Sequence, residues 1–171
     1  MNIKYFRHSL LIVLLTFQLM SCGLLPSQRQ DPFYTNTGGW DEERIPLLKP
    51  YSMVYLGKEY AWQMPLEANP PTKSTYYYSE IHDIREIAIE NGVIMIYTPF
   101  LEPVDTEVGN KVLHWFAIVP AKNVEEGFYN ESEFLAYVSA YGIHDPPWLD
   151  PNVAFQQFDK TGCLDWIPNC K

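Results

Sequence analysis

Basic residues are scarce in this chain. Of 171 residues, 12 are Lys or Arg against 21 Asp or Glu. That balance argues against nucleic-acid binding, which depends on Lys and Arg neutralising the phosphate backbone. It also disfavours docking on anionic headgroups. Hydrophobic runs are few: the stretch Leu10 to Phe17 has no successor, and it is shorter than the about 20 residues that span a bilayer comfortably. No G-x-S-x-G nucleophile elbow occurs, nor a Gly-rich phosphate loop or dinucleotide fingerprint. Internal repeats and low-complexity arrays are absent too.

What is present begins at the N-terminus. Lys4 and Arg7 precede the apolar run, and Leu19-Met20-Ser21-Cys22 closes it. A charged start, a short apolar stretch and small residues before a cleavage point are the layout of a secretory signal peptide. The tetrad Leu19-Met20-Ser21-Cys22 resembles the lipobox of bacterial lipoproteins. The resemblance covers the first 22 or so residues and implies that the Cys22 thiol is acylated, the bond before it cut and the new amino group acylated as well. Each buried acyl CH₂ contributes about 0.8 kcal/mol, so several chains anchor a protein to a membrane. Gly23 follows Cys22 where related lipoproteins kept at the inner membrane carry Asp, and no acidic export cluster comes next. The expected address is the bacterial cell envelope, at the periplasmic face of the outer membrane.

Removing residues 1–21 leaves 150 residues, which fits one domain. It also takes away Lys4 and Arg7 and no acid, so the net charge moves from −9 to −11. Such a surface suits a basic protein partner or a neutral ligand. With Cys22 acylated, Cys163 and Cys170 remain, and an even remainder in an exported chain reads as one disulfide. Closing so short a loop contributes roughly 2 to 3 kcal/mol. Zinc is a poor alternative, because two cysteines at this spacing lack further ligands nearby in sequence.

Residues 22–39 read as a lipidated N-terminus and tether, rich in Pro, Gly, Ser, Gln and Asn. A single domain is expected from Trp40 to the end. Within it, Asn91-Gly92 supplies the pair that a two-residue type I′ hairpin needs. Pairing outward from that turn sets Glu90 opposite Val93 and Ile87 opposite Ile96, with Ile87, Ile89, Ile94 and Ile96 on the core face. A second hairpin is expected around Gly57-Lys58, placing Met53, Tyr55, Tyr60 and Trp62 on one face. "KVLHWFAIVP" reads as a central strand covered on both sides. Shorter strands are expected at Thr75 to Tyr78 and Val153 to Phe158. One helix, near 131–141, has Asn130 as cap, Glu133 three residues on, a Tyr129–Phe134 staple and Gly142 as its stop. The expected fold class is α+β: a mainly antiparallel sheet with one packed helix.

For chemistry, His82, His114 and His144 form a His₃ metal site only if folding brings them together. None has ligand spacing, and the ordinary reading for each is a locally hydrogen-bonded imidazole. His82-Asp83 and His144-Asp145 resemble the metal-binding dipeptide of the HD phosphohydrolases, an all-helical family that this chain's strand pattern does not fit. Asp41-Glu42-Glu43 and Glu125-Glu126 read as solvated surface acids rather than as glycosidase carboxylates. Aromatics are abundant, with five Trp and 12 Tyr. Trp40, Arg44, Tyr76, Tyr77 and Tyr78 are the candidate binding residues, since exposed rings suit protein hot spots or sugar stacking.

These features lead to an expectation of a lipid-anchored, non-enzymatic module that binds a protein partner and needs no cofactor. In size and charge it loosely resembles lipoproteins that act as inhibitors or immunity factors for secreted toxins. The alternatives are an envelope glycan-binding or glycan-processing protein and, third, a metal-dependent hydrolase.

Overall fold

In the computed structural model, residues 31–39, 41–57, 61–66, 80–99 and 113–170 are described. The Asn91-Gly92 turn organises the central sheet. Both residues take positive φ, 49° and 77°, as a type I′ turn demands. Strand β5 (Glu86–Glu90) therefore pairs antiparallel with β6 (Val93–Tyr97), Glu90 facing Val93 and Ile87 facing Ile96. Strand β7 (Trp115–Val119) pairs with β6 on one side and β8 (Val124–Phe128) on the other, giving the order β5-β6-β7-β8. The expected central strand is thus central, and the fold is α+β with mostly antiparallel pairing.

Alternation along the strands separates two apolar layers. On one face, Ile87, Ile94, Ile96, Phe116 and Ile118 belong to the larger core cluster. On the other, Ala88, Val93, Met95, Ala117 and Val119 meet Phe134, Val138 and Ile143. Both faces of the Asn91-Gly92 hairpin are therefore buried.

The smaller layer is built by the expected helix, Glu131–Ser139. Asn130 caps it, its Oδ1 accepting from Glu133 N at 2.9 Å. After it the chain turns at Gly142 (φ 79°), with Gly142 N donating to Ser139 O and Ile143 N to Val138 O. This is a Schellman-type stop, and the buried Ile143 shares the Val138 cluster. The expected Tyr129–Phe134 staple is corrected: Phe128 meets Phe134 at 5.9 Å, while Tyr129 packs on the opposite cluster. Adjacent strand residues point to opposite faces, so Phe128 and Tyr129 divide between the two layers.

The larger layer is completed by short elements. Strand β1 (Glu43–Pro46) pairs with β2 (Ser52–Tyr55), and β3 (Met64–Pro65) with β4 (Glu80–Ile81). The second hairpin returns antiparallel, but a Val54–Gln63 bridge replaces the Val54–Ala61 pairing of a two-residue turn at Gly57-Lys58. A shift of two preserves side-chain parity. Met53, Tyr55 and Trp62 keep their common face, joined by Met64, while Tyr60 lies outside the described residues.

A second long helix, Pro151–Thr161, occupies the segment expected to hold a strand at Val153 to Phe158. Asp150 caps it through Asn152 N at 2.7 Å, Pro151 opens it, and Ala154 and Phe158 are buried. Proline at the first helical position forfeits no hydrogen bond and pre-sets φ. The domain is therefore not a one-helix fold. The expected strand at Thr75 to Tyr78 lies outside the described residues.

One compact unit runs from Asp31 to Lys171. It includes residues 31–39, expected as tether. There a short helix, α1 (Pro32–Thr35), is capped by Asp31, whose Oδ1 accepts from Phe33 N at 3.1 Å. The two long helices are hereafter α2 (Glu131–Ser139) and α3 (Pro151–Thr161).

Candidate functional site

Cys22, Trp40, Tyr76, Tyr77 and Tyr78 lie outside the described residues. Arg44 is described, and its side chain is buried instead of reaching outward. It is 9% exposed on β1, its Nη1 donating to Phe33 O at 2.9 Å and Asn36 O at 2.8 Å. Its guanidinium also lies 4.7 Å from the Phe33 ring centroid. Burial pushes the Arg44 guanidinium below its ordinary value, while Glu42 acts the other way. Sequence cannot separate an arginine that reaches outward from one that folds back over its own chain.

The three histidines do not come together. His82 is exposed and held by Gln63 Oε1 at 3.1 Å and Glu80 Oε1 at 3.0 Å. His114 contacts Thr98 O at 3.0 Å through Nδ1. A carbonyl only accepts, so Nδ1 carries the proton. Both residues meet at Thr98, whose Oγ1 donates to His82 O at 2.8 Å. His144 belongs to the opposite end of the sheet. It follows Gly142, next to the Asn91 turn, a strand's length or roughly 20 Å from Thr98. Among the described residues no group of three His, Cys, Asp or Glu is placed to hold a metal ion.

Cys163 and Cys170 are joined, with Cα atoms 5.3 Å apart. The loop they close carries Trp166, whose Nε1 donates to Pro46 O at 2.9 Å. Trp166 thus covers the edge of the domain.

Two groupings went unread in the sequence. The first is a buried acid: Glu125 is 5% exposed and accepts from Tyr51 Oη at 2.7 Å across 74 residues. The expectation of solvated acids at Glu125-Glu126 is corrected for Glu125. Strand alternation turns it toward the larger core and Glu126 toward the α2 side. At Gly127, on the same face as Glu125, a Cβ would meet Leu113 Cδ1 at 2.5 Å, so the buried Leu113 side chain would have to shift. This hydrogen bond ties the β1–β2 hairpin to the outer strand of the sheet.

The second grouping is a band of half-buried rings on the α2 side. Tyr97 and Trp115 are cross-strand partners with centroids 5.2 Å apart, and His114 meets Trp115 edge-on at 5.6 Å. Phe128 faces Trp115 across β7 and β8. It meets Tyr137 at 5.1 Å, and Tyr137 meets Tyr141 at 5.7 Å. Lys122 Nζ lies 4.5 Å over the Tyr141 ring, within cation–π range. Burial first, then the neighbouring Tyr141 hydroxyl, pushes the Tyr137 phenol above its ordinary value, so it stays protonated and able to donate. Period-2 reading of β6, β7 and β8 with the i, i+4 pair Tyr137 and Tyr141 at the end of the expected helix would have assembled this band from sequence.

No family model matches the chain, and comparison with curated proteins and with solved structures found no match.

Proposed function

We propose that this chain is a lipid-anchored lipoprotein of the cell envelope whose acidic domain holds a protein partner, without chemistry of its own. The observation that carries the reading is Leu19-Met20-Ser21-Cys22 directly after an apolar run. Charge supports the choice of partner. Asp41, Glu43, Glu86, Glu131, Glu133, Asp145, Asp150, Asp159 and Asp165 are exposed, against Lys49, Arg85, Lys122 and Lys160 among the described residues. A surface of this sign attracts and orients a basic partner. The periplasmic face of the outer membrane is the proposed address.

Metabolic labelling with a fatty-acid probe tests the anchor: the wild-type protein takes up label and Cys22→Ala does not. Label retained in the variant refutes the reading. Affinity capture from the envelope at rising salt tests the partner, with a basic protein lost steeply as the Debye length shrinks.

A second reading, an envelope glycan-binding protein, is favoured by the half-buried Tyr97–Trp115 pair with His114 beside it. Such rings offer apolar faces for sugar stacking, and binding there would barely respond to salt.

A further inference from the structure

We infer that the β8 side of α2 is a docking site for an arginine-bearing extended segment of a protein partner, with Phe128, Tyr137 and Tyr141 as its rings and Glu126 and Glu133 as its carboxylates. The basic character of the partner rests on the acidic-domain reading above, and the site names where on that domain the partner binds.

Two periodicities assemble the site. Alternate residues of a strand share a face, so Glu126 and Phe128 of β8 both stand on the α2 side, opposite Ala117 and Trp115 of β7. On α2, Glu133 and Tyr137 are four apart and so neighbours on the helix surface, and Tyr141 follows in the turn after it. Ring contacts join strand to helix: Phe128 meets Tyr137 at 5.1 Å and Tyr137 meets Tyr141 at 5.7 Å. Phe134 and Val138 of the same helix are buried, whereas these three rings are half-buried and pack against the outside of the smaller core cluster.

A cation already sits at one end of the row. The ammonium of the exposed Lys122 lies 4.5 Å over the Tyr141 ring. Among the described residues from 113 on, the Lys or Arg residues are Lys122 and Lys160, and Lys160 belongs to α3 in the other layer. The carboxylates are open to an incoming cation, since among the described residues neither Glu126 nor Glu133 forms an ion pair. Glu126 stands close to the rings: after burial and the neighbouring Tyr141, its charge also raises the Tyr137 phenol.

Rings beside unpaired carboxylates suit a guanidinium, which is planar, stacks on aromatic faces and gives paired N–H donors to a carboxylate. The chain uses the same chemistry on itself, where the Arg44 guanidinium lies 4.7 Å from the Phe33 ring centroid. Alternate side chains of an extended segment stand about 7 Å apart on one face, so two arginines can take neighbouring rings. Lys122 is then a resident competitor. It holds the Tyr141 face and repels an incoming cation, so its removal should strengthen binding.

The test uses the full chain in a neutral detergent, which makes it independent of whether Cys22 is acylated. The probe is a fluorescein-labelled pentapeptide with arginine at alternate positions, followed by anisotropy at about 0.15 M salt, where charges beyond about 8 Å are largely screened. The same peptide with citrulline for arginine keeps the shape and removes the charge. An N-acetylglucosamine oligomer, read by intrinsic fluorescence, represents a neutral glycan.

The arginine peptide should bind saturably and the citrulline peptide should not. Tyr137→Leu and Glu126→Gln should each weaken binding about fivefold, Tyr137→Phe should restore the ring's share, and Lys122→Gln should tighten binding about threefold. Asp159→Asn and Lys160→Gln make the same charge changes on α3 and should shift it by less than about 1.5-fold. Should Tyr137→Leu fail to fold, Glu126→Gln and Lys122→Gln carry the test, because neither side chain belongs to a core cluster. An inert arginine peptide, or equal effects of the changes at this site and on α3, overturns the site. Salt-sensitive capture of a basic envelope protein that Glu126→Gln and Lys122→Gln leave unchanged overturns the site and upholds the acidic-domain reading. Binding of the sugar oligomer that Tyr137→Leu abolishes, with the arginine peptide inert, overturns both in favour of glycan stacking.

Discussion

The two ends of the domain dock on the same four-residue strand by opposite means. At the C-terminal end, Gly162 stops α3 with φ 68°, Leu164 and Ile167 sink into the larger core, and Trp166 donates to Pro46 O of β1. The Cys163–Cys170 bond then closes the loop. At the N-terminal end no side chain of α1 is fully buried, and attachment to β1 runs through Arg44 and its two carbonyl partners. Apolar burial and a covalent bond make the first attachment part of the global fold. The second rests on hydrogen bonds and ring contacts, with little apolar burial behind them. One strand thus carries one attachment built on apolar burial and a covalent bond and another built on polar and ring contacts.

Changes at the C-terminal seal should act on global stability. Leu164→Ala removes a side chain that is 2% exposed and should lower the unfolding free energy by about 3 kcal/mol, read as a shifted urea midpoint. Replacing Cys163 and Cys170 together by Ser should cost about 2 kcal/mol, abolished by reductant in the wild type. Arg44→Gln should move the global midpoint by under about 1 kcal/mol while stripping amide protection from Tyr34. A global loss as large as that of Leu164→Ala would erase the distinction between the two ends. The smallest effect belongs to Asp31. The Lys49 ammonium, then the Phe33 amide, hold its carboxyl below the ordinary 3.8. Its contribution to docking of this segment is whole above that ordinary value and is lost as pH falls through the lowered one. Asp31→Asn should leave the midpoint unchanged at neutral pH and remove this acid limb from the exchange of Tyr34.

Legibility from sequence followed how local the determining interaction is. The Asn91-Gly92 hairpin and the Asn130 cap are written in adjacent residues, and both appear with the expected register and partner. Helix α3 was legible in principle, since Asp150-Pro151 is a cap followed by a first-turn proline. Val153 drew the reading toward a strand, yet it is 51% exposed and faces away from the core. The longer return after Gly57 depends on how β2 meets residue 63, a contact with no local signature. Arg44 and Glu125 lie further beyond reach. Each looks like a surface charge until the fold brings Phe33 over one and Tyr51 to the other.

The Asn91 side chain has a chemical lifetime as well as a structural place. Asparagine before glycine is the pair most prone to deamidate, because the Gly92 amide meets little hindrance in attacking the side-chain carbonyl. Here Asn91 Nδ2 is engaged by Tyr141 O at 3.0 Å, and attack requires that amide to swing free. Conversion would put a carboxylate against the Tyr141 carbonyl, so the damaged turn would no longer hold the chain that follows α2. Isoaspartate at position 91 should therefore accumulate in proportion to the time the turn spends open. It should form slowly in the folded protein and at peptide rates in denaturant, which makes this one residue a clock for the age of the molecule.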